Sequence, residues 1–129
     1  MEQIKNEVLE TLTRILEDYP YEVDVQVDDD LVVVEIGTAA TVTTFNPRLV
    51  NLTMLIDATN TVVAMKLEDI AEEQEQELEI GYSAQSLLPW IPDMLEAFTS
   101  QGIDSAFNVF DRFEETEQYY CRVEMGEEQ

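Results

Sequence analysis

The sequence predicts an α+β fold: a single antiparallel β-sheet of about five to six strands, with an N-terminal helix and one or two helices near the C-terminus packed on it. Apolar residues recur at helical spacing near the N-terminus and alternate with period two through the middle of the chain. The connections between the alternating runs are too short for parallel crossovers, so those strands must be joined as antiparallel hairpins. With 129 residues, 45% of them hydrophobic, the chain can bury a core of its own. Neither a repeat nor a linker interrupts it, so residues 1–129 are expected to form one domain.

Residues 3–18 place Ile4, Val8, Leu12, Ile15 and Leu16 on one helical stripe, with Glu7, Glu10, Arg14, Glu17 and Asp18 between or opposite. Pro20 disfavours helical geometry at Tyr19, so the helix should stop near there. From Tyr21 to Asp28, Tyr21, Val23, Val25 and Val27 alternate with Glu22, Asp24, Gln26 and Asp28, the pattern of a half-buried strand with an acidic outer face. Asp28, Asp29 and Asp30 form a turn, and the β-branched run Leu31 to Ile36 should pair back on the first strand. Gly37 suggests a bulge or bend before a Thr- and Ala-rich extension, Thr38 to Phe45, which Asn46 and Pro47 end.

Val50, Leu52, Met54 and Ile56 alternate with Asn51, Thr53, Leu55 and Asp57 in a third strand, and Val62 to Leu67 make a fourth. Residues 68–77 are polar enough to be a loop or an exposed helical turn around Ile70, before a short fifth strand through Leu78, Ile80 and Tyr82. After Ser86 the pattern changes. Pro89 and Pro92 suit a loop and then the first turn of a helix bearing Met94, Leu95 and Phe98. Gly102 suits a C-terminal cap, and Asp104 an N-cap for a short second helix with Phe107 and Phe110. Tyr119, Cys121, Val123 and Met125 alternate with Tyr120, Arg122 and Glu124, which reads as a last strand.

Charge narrows the partners. The chain has 29 Asp and Glu against 6 Lys and Arg, a net charge of -23. Almost nothing is available to displace the counterions of a phosphate backbone, so direct nucleic acid binding is disfavoured, as is docking on anionic lipid. An electrostatically steered partner should be basic. Histidine is absent, which removes the commonest general acid-base group and metal ligand. The single cysteine, Cys121, allows no intrachain disulfide and no thiolate metal cluster. With no basic region leading into an apolar segment, and no apolar run near the about 20 residues that span a bilayer, a cytoplasmic location away from membranes is expected.

Several local patterns resemble chemistry and fall short of it. Asp24, Gln26, Asp28 and Asp30, with Glu35 at the twelfth position, mimic the spacing of a calcium loop, but Asp29 stands where the sharp turn needs glycine and both flanks read as strands. The same turn could hold a loose cation, because adjacent carboxylates relieve their repulsion by sharing an ion, but a solvated hairpin tip is the plainer reading. Glu35 lies between Val34 and Ile36, yet alternation points it outward, so no carboxyl is singled out for an apolar pocket that would raise its pKa. Cys121 has no histidine to activate it and shares the phase of Val123 and Met125, the pattern of an inert buried thiol. No catalytic residue, metal or cofactor is therefore expected.

The features left point to binding. Glu68, Asp69, Glu72, Glu73, Glu75, Glu77 and Glu79 form an acidic run that reads as a solvated segment or as a ridge for a basic groove. Trp90, between Leu88-Pro89 and Ile91-Pro92, can cap the core or anchor a partner. The candidate contacts are Glu22, Asp24 and Asp28 on the first strand, Asp29 and Asp30 at the hairpin tip, the acidic run, and Trp90. The expected function is that of a non-catalytic acidic interaction protein for a basic partner, in its sharpest form a nucleic-acid mimic inhibiting a nuclease or another DNA- or RNA-binding protein. Two alternatives share the composition: an acidic domain of halophile type, and a small acidic assembly or secretion chaperone. The chaperone would form a homodimer and use an exposed apolar groove, with Leu31 and Val33 or the Trp90 loop as its lining.

Overall fold

A computed structural model describes residues 1–19, 21–38, 50–70 and 72–124, with backbone alone for 38 and 119–124. The first helix, α1, spans Glu2–Ile15; Glu2 lies in its first turn and Arg14 in its last, each opposite in sign to the helix-dipole end it faces. Val8, Leu12 and Leu16 are buried on its inner stripe. The chain then turns, with the Tyr19 N–H donating to the Leu16 carbonyl at 3.0 Å, and Tyr19 stacks on Tyr21 at 5.9 Å.

Five strands follow: β1 Tyr21–Asp28, β2 Leu31–Thr38, β3 Val50–Ile56, β4 Thr61–Asp69 and β5 Gln74–Ser83. They pair antiparallel in chain order, so the sheet is a meander with β1 and β5 at its edges. The turn between β1 and β2 puts Asp29 at φ 54°, a left-handed conformation that a short polar side chain tolerates. Between β3 and β4 the Asp57 carboxylate accepts from the Thr59 N–H at 2.9 Å, the Thr59 hydroxyl at 2.6 Å and the Thr61 N–H at 3.1 Å. Those bonds hold its pKa below the ordinary carboxylate value, the Thr59 hydroxyl contributing most.

One face of the sheet is the core. Val25, Val32, Val34, Ile36, Leu52, Met54, Ile56, Met65 and Leu67 are buried there against the helices. Val62 and Met65 are both buried although three residues apart, because the register against β3 shifts at Val63 and turns the strand by one position. The C-terminal layer consists of a short helix α2 (Ala84–Leu87), a 3-10 turn (Leu88–Trp90), α3 (Ile91–Gln101) and α4 (Ile103–Glu124). Ser83 caps α2 by accepting from the Ser86 N–H at 3.2 Å. Gly102, at φ 102°, ends α3 and lets α4 fold back against it.

Three sequence-based expectations need correction. Residues 68–77 include the end of β4, a turn with Ile70, Glu72 and Glu73, and the start of β5; Glu68 pairs with Glu75 and Leu67 with Gln76. Side chains on both faces are polar there, which erased the alternation while leaving backbone pairing available. Asp104 lies in the first turn of α4 rather than capping a short helix. The last strand is absent, because α4 continues to Glu124. Residues 114–118, Glu-Glu-Thr-Glu-Gln, hold no glycine or proline to stop a helix, and extending one costs less than starting a new element. Gly37 sits within β2 in regular register with Asn51. The expected extension through Phe45 and the Cys121 side chain lie outside the described residues, as does Met125.

Candidate functional site

Among the described residues every helix packs on the core side, and none covers the opposite face of the sheet. Its composition follows from strand parity: whatever alternates with the core residues points outward. The register arranges the outward residues in rows across the strands. One row runs Gln26, Val33, Leu55, Ala64, Glu79; the next Asp24, Glu35, Thr53, Lys66, Glu77; the third Glu22, Gly37, Asn51, Glu68, Glu75. The acids thus gather mainly at the margins, on β1 and β5, while the middle strands present aliphatic, threonine and asparagine side chains together with Glu35, Glu68 and Lys66. With neighbouring strands about 4.8 Å apart, the two margins stand about 19 Å from one another.

Lys66 is the only cation of this face among the described residues. Its ammonium reaches the Glu75 carboxylate at 3.2 Å, and Glu75, Glu68 and Glu77 together push its pKa above the ordinary lysine value. The face therefore already holds one ammonium within a group of three glutamates. A hollow of about 520 Å³ lies beside it, lined by Thr53, Leu55, Ala64, Lys66, Glu77 and Glu79 along with parts of Met65 and Leu78.

Of the twelve residues expected to bind a partner, the structure places six on this face. Glu22, Asp24 and Asp28 occupy the β1 margin, where the Gln26 amide donates to Asp24 at 2.7 Å. Glu68, Glu75 and Glu77 lie on the same face across the sheet. Asp29 and Asp30 are exposed at the β1–β2 tip, and Glu72 and Glu73 at the β4–β5 turn. Asp69 does not join them: its parity turns it to the core side, where it is 1% exposed and accepts from the Glu72 N–H at 3.3 Å. Trp90 stands in the helical layer, half-buried with its ring edge-on to Phe113 at 5.8 Å, so it belongs to the core rather than to this face.

Leu55, Ala64 and Thr53 were not anticipated as site residues. The available signal was phase: Leu31, Val33 and Leu55 are apolar residues at outward positions of strands whose inward positions are already filled. The helical layer supplies its own acids, among them Glu2, Glu7, Glu10, Asp93, Glu96 and Asp111, with Lys5, Arg14 and Arg112 interspersed. A second, polar hollow of about 810 Å³ separates the β4–β5 turn from the α3–α4 junction, between Glu72–Gln76 and Gln101–Asp104. Among the described residues no three acids or cysteines converge to hold a metal ion, and no helix is long and apolar enough to cross a membrane. Compared with protein-family models, curated proteins and solved structures, the chain gives no match.

Proposed function

We propose that this chain is a non-catalytic interaction protein that binds a basic partner on the face of its sheet opposite the helices. The observation that carries the reading is the segregation of the fold. Among the described residues the helices take one face of the sheet, and the other presents acids along both edges, with Glu35, Glu68 and the paired Lys66 between them. A fold that needed this face only for solubility has no use for Leu31, Val33 and Leu55 on it. Cationic partners are favoured because each ion pair formed relieves repulsion among like charges on the sheet, and because the field steers them to the site. A nucleic-acid mimic that occupies the basic groove of a nuclease is the narrower form of the same reading.

Binding to polylysine tests it, at about 50 mM and about 500 mM NaCl, since screening weakens surface electrostatics over that range. Neutralising Glu22, Asp24, Glu77 and Glu79 as amides should weaken binding. Neutralising Glu2, Glu7, Glu10 and Asp111 in the helical layer makes the same change in net charge and should have a much smaller effect. Equal losses from the two sets, or no binding at low salt, would remove this reading.

The acids of the helical layer favour a second reading, in which the charge is an adaptation to a salt-loaded cytoplasm and marks no site. It requires a protein that folds only in molar KCl and loses affinity equally with either set of amides.

A further inference from the structure

The face opposite the helices has a floor as well as charged margins. Leu31, Val33, Leu55 and Ala64 hold the outward positions of β2, β3 and β4 at the end nearest the β1–β2 and β3–β4 turns. Toward the other end the same strands present Glu35, Thr53, Asn51 and Glu68. The hollow over Leu55 is open because Ala64 ends at its Cβ, and it is flanked by Glu77 and Glu79.

We infer that the occupant of this face is an amphipathic basic α-helix lying along β2–β4, its apolar end filling the hollow over Ala64 and its lysines and arginines meeting the acids of β1 and β5. The inference rests on the function proposed above and specifies the partner. Its dimensions fit. The middle strands form a strip about 10 Å wide, the diameter of a helix with its side chains. Cations on the two flanks of that helix then point to margins about 19 Å apart. The outward rows from Leu31 to Gly37 cover about 20 Å, the length of a helix of about 14 residues. Apolar floor at one end and acids at the other set the polarity of the occupant: apolar side chains over Val33 and Leu55, cations beyond them. Lys66, held by Glu75 at 3.2 Å, is already bound as the incoming cations would be.

A second copy of this chain fits poorly, because its own acidic margins would meet those of the first. A polyphosphate chain is repelled for the same reason. An extended basic strand added to the free edge of β5 would satisfy the acids but leave the hollow empty.

Three probes separate these cases: a 14-residue leucine-lysine peptide patterned as an amphipathic helix, an isomer of the same composition with leucine and lysine alternating as in a strand, and polylysine. Fluorescence anisotropy in about 50 mM NaCl reads the affinities. The helical peptide should bind the wild-type protein at least about tenfold more tightly than its isomer, the gain expected from burying one leucine side chain. Ala64→Phe fills the hollow without touching a charge. It should bring the helical peptide down to the level of the isomer and leave polylysine unchanged. Thr53→Phe, on the opposite wall, should act the same way and serves if Ala64→Phe does not fold.

Equal binding of the two peptides, tighter binding of the alternating isomer, or indifference to both substitutions would overturn the helix while leaving the basic-partner reading standing. A wild-type dimer that Ala64→Phe dissociates would overturn both, since an acidic second copy would then occupy the face. Failure of all three probes to bind would end both.

Discussion

Truncating Phe113 to alanine tests whether the helical layer is fastened to the sheet as described, and therefore whether the opposite face is the free one. Phe113 is fully buried on α4 and meets three rings: Tyr82 of β5 edge-on at 4.9 Å, Trp90 at 5.8 Å and Phe110 at 5.7 Å. It thus joins α4, the edge strand and the 3-10 turn at one point. Removing a buried phenylalanine costs about 3–5 kcal/mol, the cavity included. For 129 residues the unfolding entropy is about 0.27 kcal/mol per degree, so the melting temperature should fall by about 11–18 °C. Total stability for a domain of this size is about 6–19 kcal/mol, so the variant should remain folded at room temperature unless the wild type lies at the lower end. Thermal unfolding followed by circular dichroism measures the shift. Polylysine affinity, measured on the folded variant, should not change, because Phe113 lies on the far side of the sheet. A melting temperature lowered by less than about 4 °C, equivalent to about 1 kcal/mol, would refute the anchoring of α4 through this ring.

Further outcomes follow from single features of the fold. Gly102→Ala forces a side chain into φ 102°, ψ -174°, a region reserved for glycine, and should cost about 1–3 kcal/mol, or about 4–11 °C in melting temperature. Asp57→Ala should destabilise the protein at neutral pH by freeing the Thr59 and Thr61 N–H groups. Because the folded pKa of Asp57 lies below its unfolded value, its contribution is present above about pH 3.8 and lost as the pH falls through the folded pKa. The difference between variant and wild type should therefore close in acid; a gap that persists at pH 2 would count against the turn. Raising NaCl from about 10 mM to about 150 mM should raise the wild-type melting temperature by screening repulsion, with cooperative unfolding at both ends of the range. A chain that needs molar KCl to fold would favour high-salt adaptation over a binding face.

Much of this architecture was legible in the residues. Period-two alternation locates β1 to the residue and β3 to within one, because each has one wholly apolar and one largely polar face. Gly102 announced the end of α3, since few other residues accept its backbone conformation. The errors lie where that contrast vanishes. Around the β4–β5 turn both faces are polar, so pairing left no trace in hydropathy. At the C-terminus Tyr119, Cys121 and Val123 alternate by chance within a helix whose course was set upstream by Phe107, Phe110 and Phe113.

The candidate face was half legible for a related reason. Composition points to the acids, and parity places Glu22 and Asp24 outward, but Glu75 and Glu77 fall in a stretch that reads as a loop, and the meeting of all four on one side depends on the order of the strands in the sheet. Asp69 was misread because an acid within an acidic run looks solvated, whereas its phase belongs with Met65 and Leu67. Leu55 is outward by alternation and Ala64 lies within the run from Val62 to Leu67, but a single aliphatic residue on a strand face gives no sign of a hollow until the neighbouring strands are in register.

Amide chemical-shift mapping with polylysine in low salt tests the central claim most directly. Perturbations are expected to concentrate on the acidic outward positions, at Glu22, Asp24, Glu35, Glu68, Glu75 and Glu77, with α1 and the exposed side of α4 unmoved. Perturbations spread evenly over Glu2, Glu7, Glu10, Asp111 and the sheet would mean that the charge is diffuse, and would contradict a dedicated face.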